Sequence, residues 1–153
     1  MATEQMFTSL PTVAMAQMTD IICAVQNNVS VQETLGQILA LVPLFTTVAV
    51  SGTTQQMVTN TGYIPTNSAL TTFTLPTTSA VGDNIEITGY GTGGWSIVEG
   101  TSQQIILGNK TTTATSGSVS STNANDSINL RCVVANTIWT LRNAPQTAGF
   151  TIV

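Results

Sequence analysis

From Phe45 onward the sequence consists of short β-branched runs separated by turn residues, and this pattern restricts the fold more than any other feature. Each run ends at Gly, Asn, Asp or Pro, and the runs recur about every 8 to 14 residues, as the strands of all-β domains do. The sequence therefore predicts a mainly β fold, an antiparallel sandwich or prism. The predicted strands span 45–50, 55–60, 70–75, 84–88, 94–98, 103–107, 111–121, 127–135, 137–142 and 150–153.

Hydroxyls and amides, rather than charges, solvate this chain. Thr, Ser, Asn and Gln supply 62 of the 153 residues, 29 of them Thr, and only 7% of the residues are charged, against about 25% in an ordinary domain. β-Branched side chains such as Thr and Val pack well on a pleated surface. With 42% apolar residues and a net charge of −4, the chain is expected to be folded rather than disordered.

The composition also argues against several classes of function. Three basic residues are too few to neutralise a phosphate backbone, so nucleic-acid binding is not expected. The chain has no His, the commonest general base and metal ligand. Asp83, Glu86 and Glu99 are scattered among turns rather than arranged as a glycosidase pair. We therefore expect neither an enzyme nor a bound metal or cofactor.

No membrane span or export signal is expected, and this bears on the two cysteines. No apolar run reaches about 18 residues, and the N-terminus contains Glu4 and no basic region, unlike a secretory signal. Cys23 and Cys132 each lie in an apolar segment. Two buried, reduced thiols are therefore expected in preference to a disulfide.

Residues 1–42 have a different pattern from the rest of the chain. Apolar stretches flank the pair Asn27 and Asn28, which is typical of a short β-hairpin. The segment that follows predicts a short helix, which Pro43 ends and which would be marginal alone. A capping box formed by Thr34 with Gln37, or by Ser30 with Glu33, would start it. The apolar positions at helical spacing are Leu35, Ile38, Leu39 and Val42.

Two further features of the β region lead to specific expectations. Residues 110–125 are mostly Thr, Ser and Asn, and we expect an exposed hairpin there, with a flexible loop or a threonine-laddered strand pair as alternatives. Alternation places Arg131 on the opposite face from Leu130 and Cys132. Arg131 is then either exposed or paired across an interface with Asp126 or Glu86.

Several motifs together resemble a known class of protein. The C-terminal set is similar to a β-domain at the C-termini of bacteriophage fibre and virion surface proteins, and the N-terminal set resembles their short virion-anchoring segment. The C-terminal motifs are MVTNTGYI at 57–64, FTLPTTSAVGD at 73–83, IEITGYGTGGW at 85–95, QIILG at 104–108, DSINLRCVVAN at 126–136 and Trp139. The N-terminal motifs are LPTV at 10–13, DIICAVQ at 20–26 and SVQETLGQI at 30–38.

The resemblance implies a domain plan, an assembly and a location. Residues 1–42 would be the virion anchor, 43–56 a short linker or strand, and 57–153 a β knob. With no long shaft, the plan suits a homotrimeric capsid decoration (cement) or head-fibre protein on the capsid exterior. Its partners would be copies of itself and the major capsid protein or another virion protein. The expected capsid-anchoring residues are Leu10, Ile21, Ile22, Val25, Leu35, Ile38 and Leu39.

The alternative function is a tail-fibre tip or carbohydrate-binding module that recognises a host surface glycan. Tyr63 and Tyr90, beside amide and hydroxyl side chains, are the candidate contacts with a sugar. Trp95 and Trp139 lie inside apolar runs and are expected in the core. The glycine-rich stretch 89–94 precedes a predicted strand and has no neighbouring Lys, so it predicts a turn rather than a phosphate-binding loop.

Overall fold

The computed structural model describes residues 21–26, 29–34, 36–37, 44–142 and 150–153. The chain divides into two compact units, Met1–Pro43 and Leu44–Val153. Residues 44–56, expected as linker or strand, thus fall in the second unit. In the described residues, no helix is long and apolar enough to span a membrane.

The first unit contains two paired strands. Strand β1 (Ile21–Gln26) runs antiparallel to β2 (Val29–Thr34). Beyond β2, the Thr34 N–H donates to Gln37 Oε1 (2.7 Å) and the Gln37 N–H donates to Thr34 Oγ1 (3.2 Å), which are the reciprocal bonds of a capping box. All the expected anchor residues lie outside the residues whose side chains are described, as does Val42 of the predicted helix; the anchor residues are Leu10, Ile21, Ile22, Val25, Leu35, Ile38 and Leu39.

The second unit is mainly β and consists of two sheets. One has seven strands in the order β10-β9-β13-β12-β7-β5-β3, and the other has five in the order β14-β11-β8-β6-β4. The strands are β3 Thr46–Val50, β4 Thr54–Gln56, β5 Thr61–Pro65, β6 Thr71–Thr74, β7 Asn84–Thr88, β8 Trp95–Val98, β9 Gln104–Leu107, β10 Lys110–Thr111, β11 Ser118–Ser121, β12 Ser127–Val134, β13 Ile138–Leu141 and β14 Phe150–Ile152.

The expectation of antiparallel sheets is wrong, because both sheets are mixed. From β3 to β8 the chain changes sheet at every strand. Each strand therefore returns beside the one before last in the same direction, and β3, β5 and β7 pair in parallel, as do β4, β6 and β8. Parallel neighbours require a crossover, and here a strand of the opposite sheet supplies it. Alternation of inward and outward residues occurs in both parallel and antiparallel strands, so the sequence pattern does not distinguish the two.

Side-chain alternation builds one apolar core shared by both sheets. In β12, Ile128, Leu130 and Cys132 are buried while Arg131 is exposed, as the alternation predicts. Trp95 and Trp139 are fully buried, which confirms that the tryptophans are core residues. The Cys132 thiol is free and lies 3.2 Å from Ser79 Oγ, whereas the Cys23 side chain is outside the described residues.

Two segments differ from the expected strand pattern. The exposed hairpin expected over 110–125 is wrong: β10 belongs to the seven-stranded sheet, and β11 lies between β8 and β14 in the other. Val119 is buried within β11 and Thr112 is buried just after β10, so this mostly polar segment crosses from one sheet to the other. The sequence pattern predicts no strand over β5, since the predicted strand 55–60 ends at Thr61-Gly62. Gly62 lies within β5, and the Phe45 ring packs over it; a Cβ added at Gly62 would lie 3.0 Å from Phe45 Cε1.

Candidate interaction surface

The carboxylates of the β unit serve as local hydrogen-bond acceptors. Asp126 Oδ2 accepts the backbone N–H groups of Thr122 and Asn123, each at 2.8 Å, and so fixes the turn before β12. Asp83 accepts from Asn60 Nδ2 (3.0 Å) and from the Ala80 N–H (2.8 Å). Their oxygens organise turns in this geometry.

The other two carboxylates are also separate from one another. Glu86 accepts from Thr88 Oγ1 (3.1 Å) and Asn129 Nδ2 (3.2 Å) on the outer face of the seven-stranded sheet. Glu99 is buried, and its Oε1 accepts from the Ile105 N–H (3.0 Å) and from Thr112 Oγ1. Over the described residues, no three His, Cys, Asp or Glu side chains are grouped as metal ligands.

Arg131 is exposed and lies beside an amide. Its Nε donates to Asn84 Oδ1 (3.4 Å), and Arg142 Nη1 donates to the same oxygen (3.3 Å). Arg131 is therefore exposed within a single copy of the chain, and its pairing across an interface stays a prediction.

The two candidate sugar-binding tyrosines lie in opposite environments. Tyr63 is 2% exposed, its hydroxyl accepts the Val58 N–H at 2.6 Å, and its ring lies 5.5 Å from that of Phe73. The expectation that Tyr63 contacts a glycan is wrong, because the core encloses it. Tyr90 is 71% exposed and remains a candidate.

A tightly packed glycine loop, residues 89–94, presents Tyr90. A Cβ added at Gly89 would lie 2.4 Å from the Asp126 carbonyl oxygen, and one at Gly93 would lie 2.0 Å from that of Ala69. Glycine lets the backbone of this loop approach its neighbours. The Gly91 N–H also donates to the Pro65 carbonyl at 2.7 Å. The loop is a close-packed turn before β8.

Charge is distributed very unevenly over the β unit. The sequence has no charged residue between Glu33 and Asp83, so β3 to β6 are uncharged. Strands β8, β11 and β14 are uncharged as well, and the whole five-stranded sheet is therefore neutral. The charged residues of this unit are Asp83, Glu86, Glu99, Lys110, Asp126, Arg131 and Arg142.

We call the five-stranded sheet together with β3 and β5 the neutral half of the β unit. It ends at β3, an edge strand with exposed apolar side chains. Leu44 is 60% exposed, Phe45 49% and Val48 41%. The Thr46 N–H donates to the Asn60 carbonyl, and the Val50 carbonyl accepts the Thr66 N–H. Since backbone groups alternate in direction along a strand, those of residues 47 and 49 point away from β5. We call residues 44–50 the β3 edge.

A row of hydroxyls crosses the outer face of the neutral five-stranded sheet. Its members occupy one register through all five strands, and two of them bond to each other, Ser120 Oγ to Ser96 Oγ at 2.8 Å. Thr and Ser occur at alternate positions in separate runs of the sequence, and this is the sequence signal for the row. No sequence signal indicates the strand pairing that aligns these residues. The members are Thr54, Thr72, Ser96, Ser120 and Thr151.

Comparison with protein-family models and with curated proteins finds no match to this chain. The surface of the β unit has a neutral sheet, an open apolar edge and one projecting tyrosine, Tyr90.

Proposed function

We propose that this chain is a non-enzymatic structural protein of a bacteriophage particle, a homotrimeric capsid decoration or head-fibre protein that acts by binding. The observation that carries the proposal is the neutral half of the β unit with its open, apolar β3 edge. A surface of this kind gains free energy by removing apolar area from water, which suits a permanent contact in an assembly. The virion part rests on the resemblance of motifs at both ends of the chain to phage surface proteins.

In this proposal the two units have different tasks. Residues 1–43, with a strand pair and a capping box, would dock on the capsid, by sheet extension or by filling a groove with an apolar helix face. The β unit would project outward and contact its symmetry mates. Contacts made by packing rather than by ion pairs depend little on ionic strength.

The direct test is co-sedimentation of the full-length chain with capsids of the source phage stripped of surface proteins. We expect saturable binding that persists in molar sodium chloride. A Leu39→Asp variant should bind at least about tenfold more weakly, because a charge would enter an apolar contact. Leu70→Asp is the control and should bind capsids normally, since Leu70 lies in a loop of the β unit and is 51% exposed. A wild-type chain that stays in the supernatant at every concentration would contradict the proposal.

A second candidate function, glycan recognition at a fibre tip, is favoured by one observation: Tyr90 projects from a close-packed loop. An exposed aromatic ring is suited to stacking on the apolar face of a sugar. A glycan array probed with the full-length chain decides the matter. Signals abolished by Tyr90→Ala and retained by Tyr90→Phe would support this function, and a blank array would leave Tyr90 without a role in sugar binding.

A further inference from the structure

The two ends of the seven-stranded sheet are protected to different degrees. Native proteins blunt exposed sheet edges with very short strands, Lys or Pro, since an open edge invites pairing with another chain. Strand β10 has these features: it is two residues long and begins with Lys110. Strand β3 is five residues long, TTVAV, without a charge or a Pro. In the part of the chain that the structure describes, no strand pairs with its outer side.

The open edge also offers apolar area. Val48 lies on the core side of the sheet, level with the buried Tyr63, yet it is 41% exposed because nothing described continues the sheet beyond it. Phe45 lies over Gly62 with half of its surface in water. Backbone donors and acceptors and large apolar side chains are thus exposed together along the β3 edge, with Val48 in β3 and Phe45 just before it.

The charge distribution identifies the occupant. The chain carries a net charge of −4, so two copies repel wherever their charged regions meet. Every charge of the β unit lies at or after Asp83 in the sequence, outside β3 to β6. Contact through the β3 edge brings copies together on a strand that carries no charge, whereas a basic partner would find no carboxylate on that strand to pair with.

We infer that the β3 edge is the surface on which a second copy of this chain docks. Leu44, Phe45 and Val48 are buried in that contact, and the outward amides of Thr47 and Ala49 are shielded by it. The inference rests on the proposed function, in that it names where the subunits of the assembly meet.

The test compares two valines of equal exposure on the same sheet. Val48→Asp places a charge in the proposed contact. Val133→Asp, on the outer face of β12, is the control for an added charge at a similarly exposed valine, since Val133 is 40% exposed. By sedimentation velocity at equal concentration, wild type and Val133→Asp should remain associated, while Val48→Asp should weaken self-association about 100-fold or more, because an unpaired charge would be buried.

Hydrogen exchange supplies the second readout. The Thr47 and Ala49 amides should be protected in the wild-type assembly and exchange fast in Val48→Asp. Should that variant fail to fold, Ala49→Pro serves instead, because it removes an outward N–H and no bond to β5. Equal association of both aspartate variants would overturn the inference. A monomeric wild-type protein would also overturn the inference. If its Thr47 and Ala49 amides were protected, the chain would cover its own edge; if they were unprotected, the edge would be uncovered.

These outcomes separate the inference from the proposed function. A chain that binds capsids but does not self-associate through the β3 edge would leave the function standing and the inference wrong. A chain that self-associates through this edge but does not bind capsids would support the inference and contradict the proposed function.

Discussion

Gln103 shows how single uncharged side chains secure the loops of this protein. It is 2% exposed, and its Nε2 donates to the carbonyl oxygens of Pro76 (2.7 Å) and Asn136 (3.3 Å). Its Oε1 accepts the Gly100 N–H at 2.8 Å. One carboxamide thus joins three loops, a role that charged side chains take in more ordinary domains.

Replacing Gln103 should lower the free energy of unfolding by more than the small change in side-chain size suggests. Gln103→Leu leaves the buried Pro76 carbonyl and two part-buried backbone groups without this partner, and we expect a loss of about 2–3 kcal/mol in the free energy of unfolding. Gln55→Leu is the control, because the Gln55 amide donates only to the carbonyl of the next residue; a change within about 0.5 kcal/mol is expected there. Urea unfolding monitored by tryptophan fluorescence measures both. Equal losses would show that the three bonds contribute nothing specific.

Burial of individual aromatic residues was only partly predictable from sequence. Tyr63 and Tyr90 occur in the same tripeptide, Thr-Gly-Tyr, at 61–63 and 88–90. The first lies within β5 with its ring in the core, and the second lies beyond the end of β7 with its ring in water. The difference comes from the strand pairing around each tripeptide. Trp95 and Trp139 were predictable because apolar residues surround both in the sequence.

At the scale of elements, the glycine loop 89–94 is held by contact between backbones. Gly89, Gly91 and Gly93 each approach a neighbouring carbonyl oxygen too closely for a side chain. The loop therefore has a fixed shape that depends on glycine at every second position.

Gly93→Ala tests this packing. A methyl group would collide with the Ala69 backbone, and we expect a loss of about 1–3 kcal/mol, the usual range for overpacking. Gly52→Ala is the matched control, because an added Cβ would find its nearest neighbour, the Thr54 carbonyl oxygen, at 3.8 Å. Thermal unfolding followed by circular dichroism compares the two. A Gly93→Ala protein as stable as the Gly52→Ala protein would mean that the loop yields at little cost.

Strand positions were more predictable from sequence than strand partners. The run 84–88 coincides with β7, and most other runs overlap a strand within a few residues, because β-branched stretches bounded by turn residues are a local signal. Direction and sheet membership depend on where each crossover leads. The parallel pairing of β3, β5 and β7 and the alignment of the hydroxyl row therefore had no counterpart in the sequence pattern.

At the scale of the whole chain, the segregation of charge is the property that the account depends on. The charges of the β unit lie between Asp83 and Arg142, and the five-stranded sheet and the β3 edge have none. Composition predicted a weakly charged surface. The five-stranded sheet is uncharged throughout, and in the seven-stranded sheet the strand order places the uncharged β5 and β3 together at one end.

The most direct test of the central claim, assembly through neutral surfaces, is the mass of the full-length chain in solution. Multi-angle light scattering should give the mass of three chains of 16.0 kDa, unchanged between dilute buffer and molar sodium chloride, because burial of apolar surface is not screened by salt. A mass that stays at one chain at every loading concentration, or a trimer that dissociates steeply as salt is added, would contradict the account.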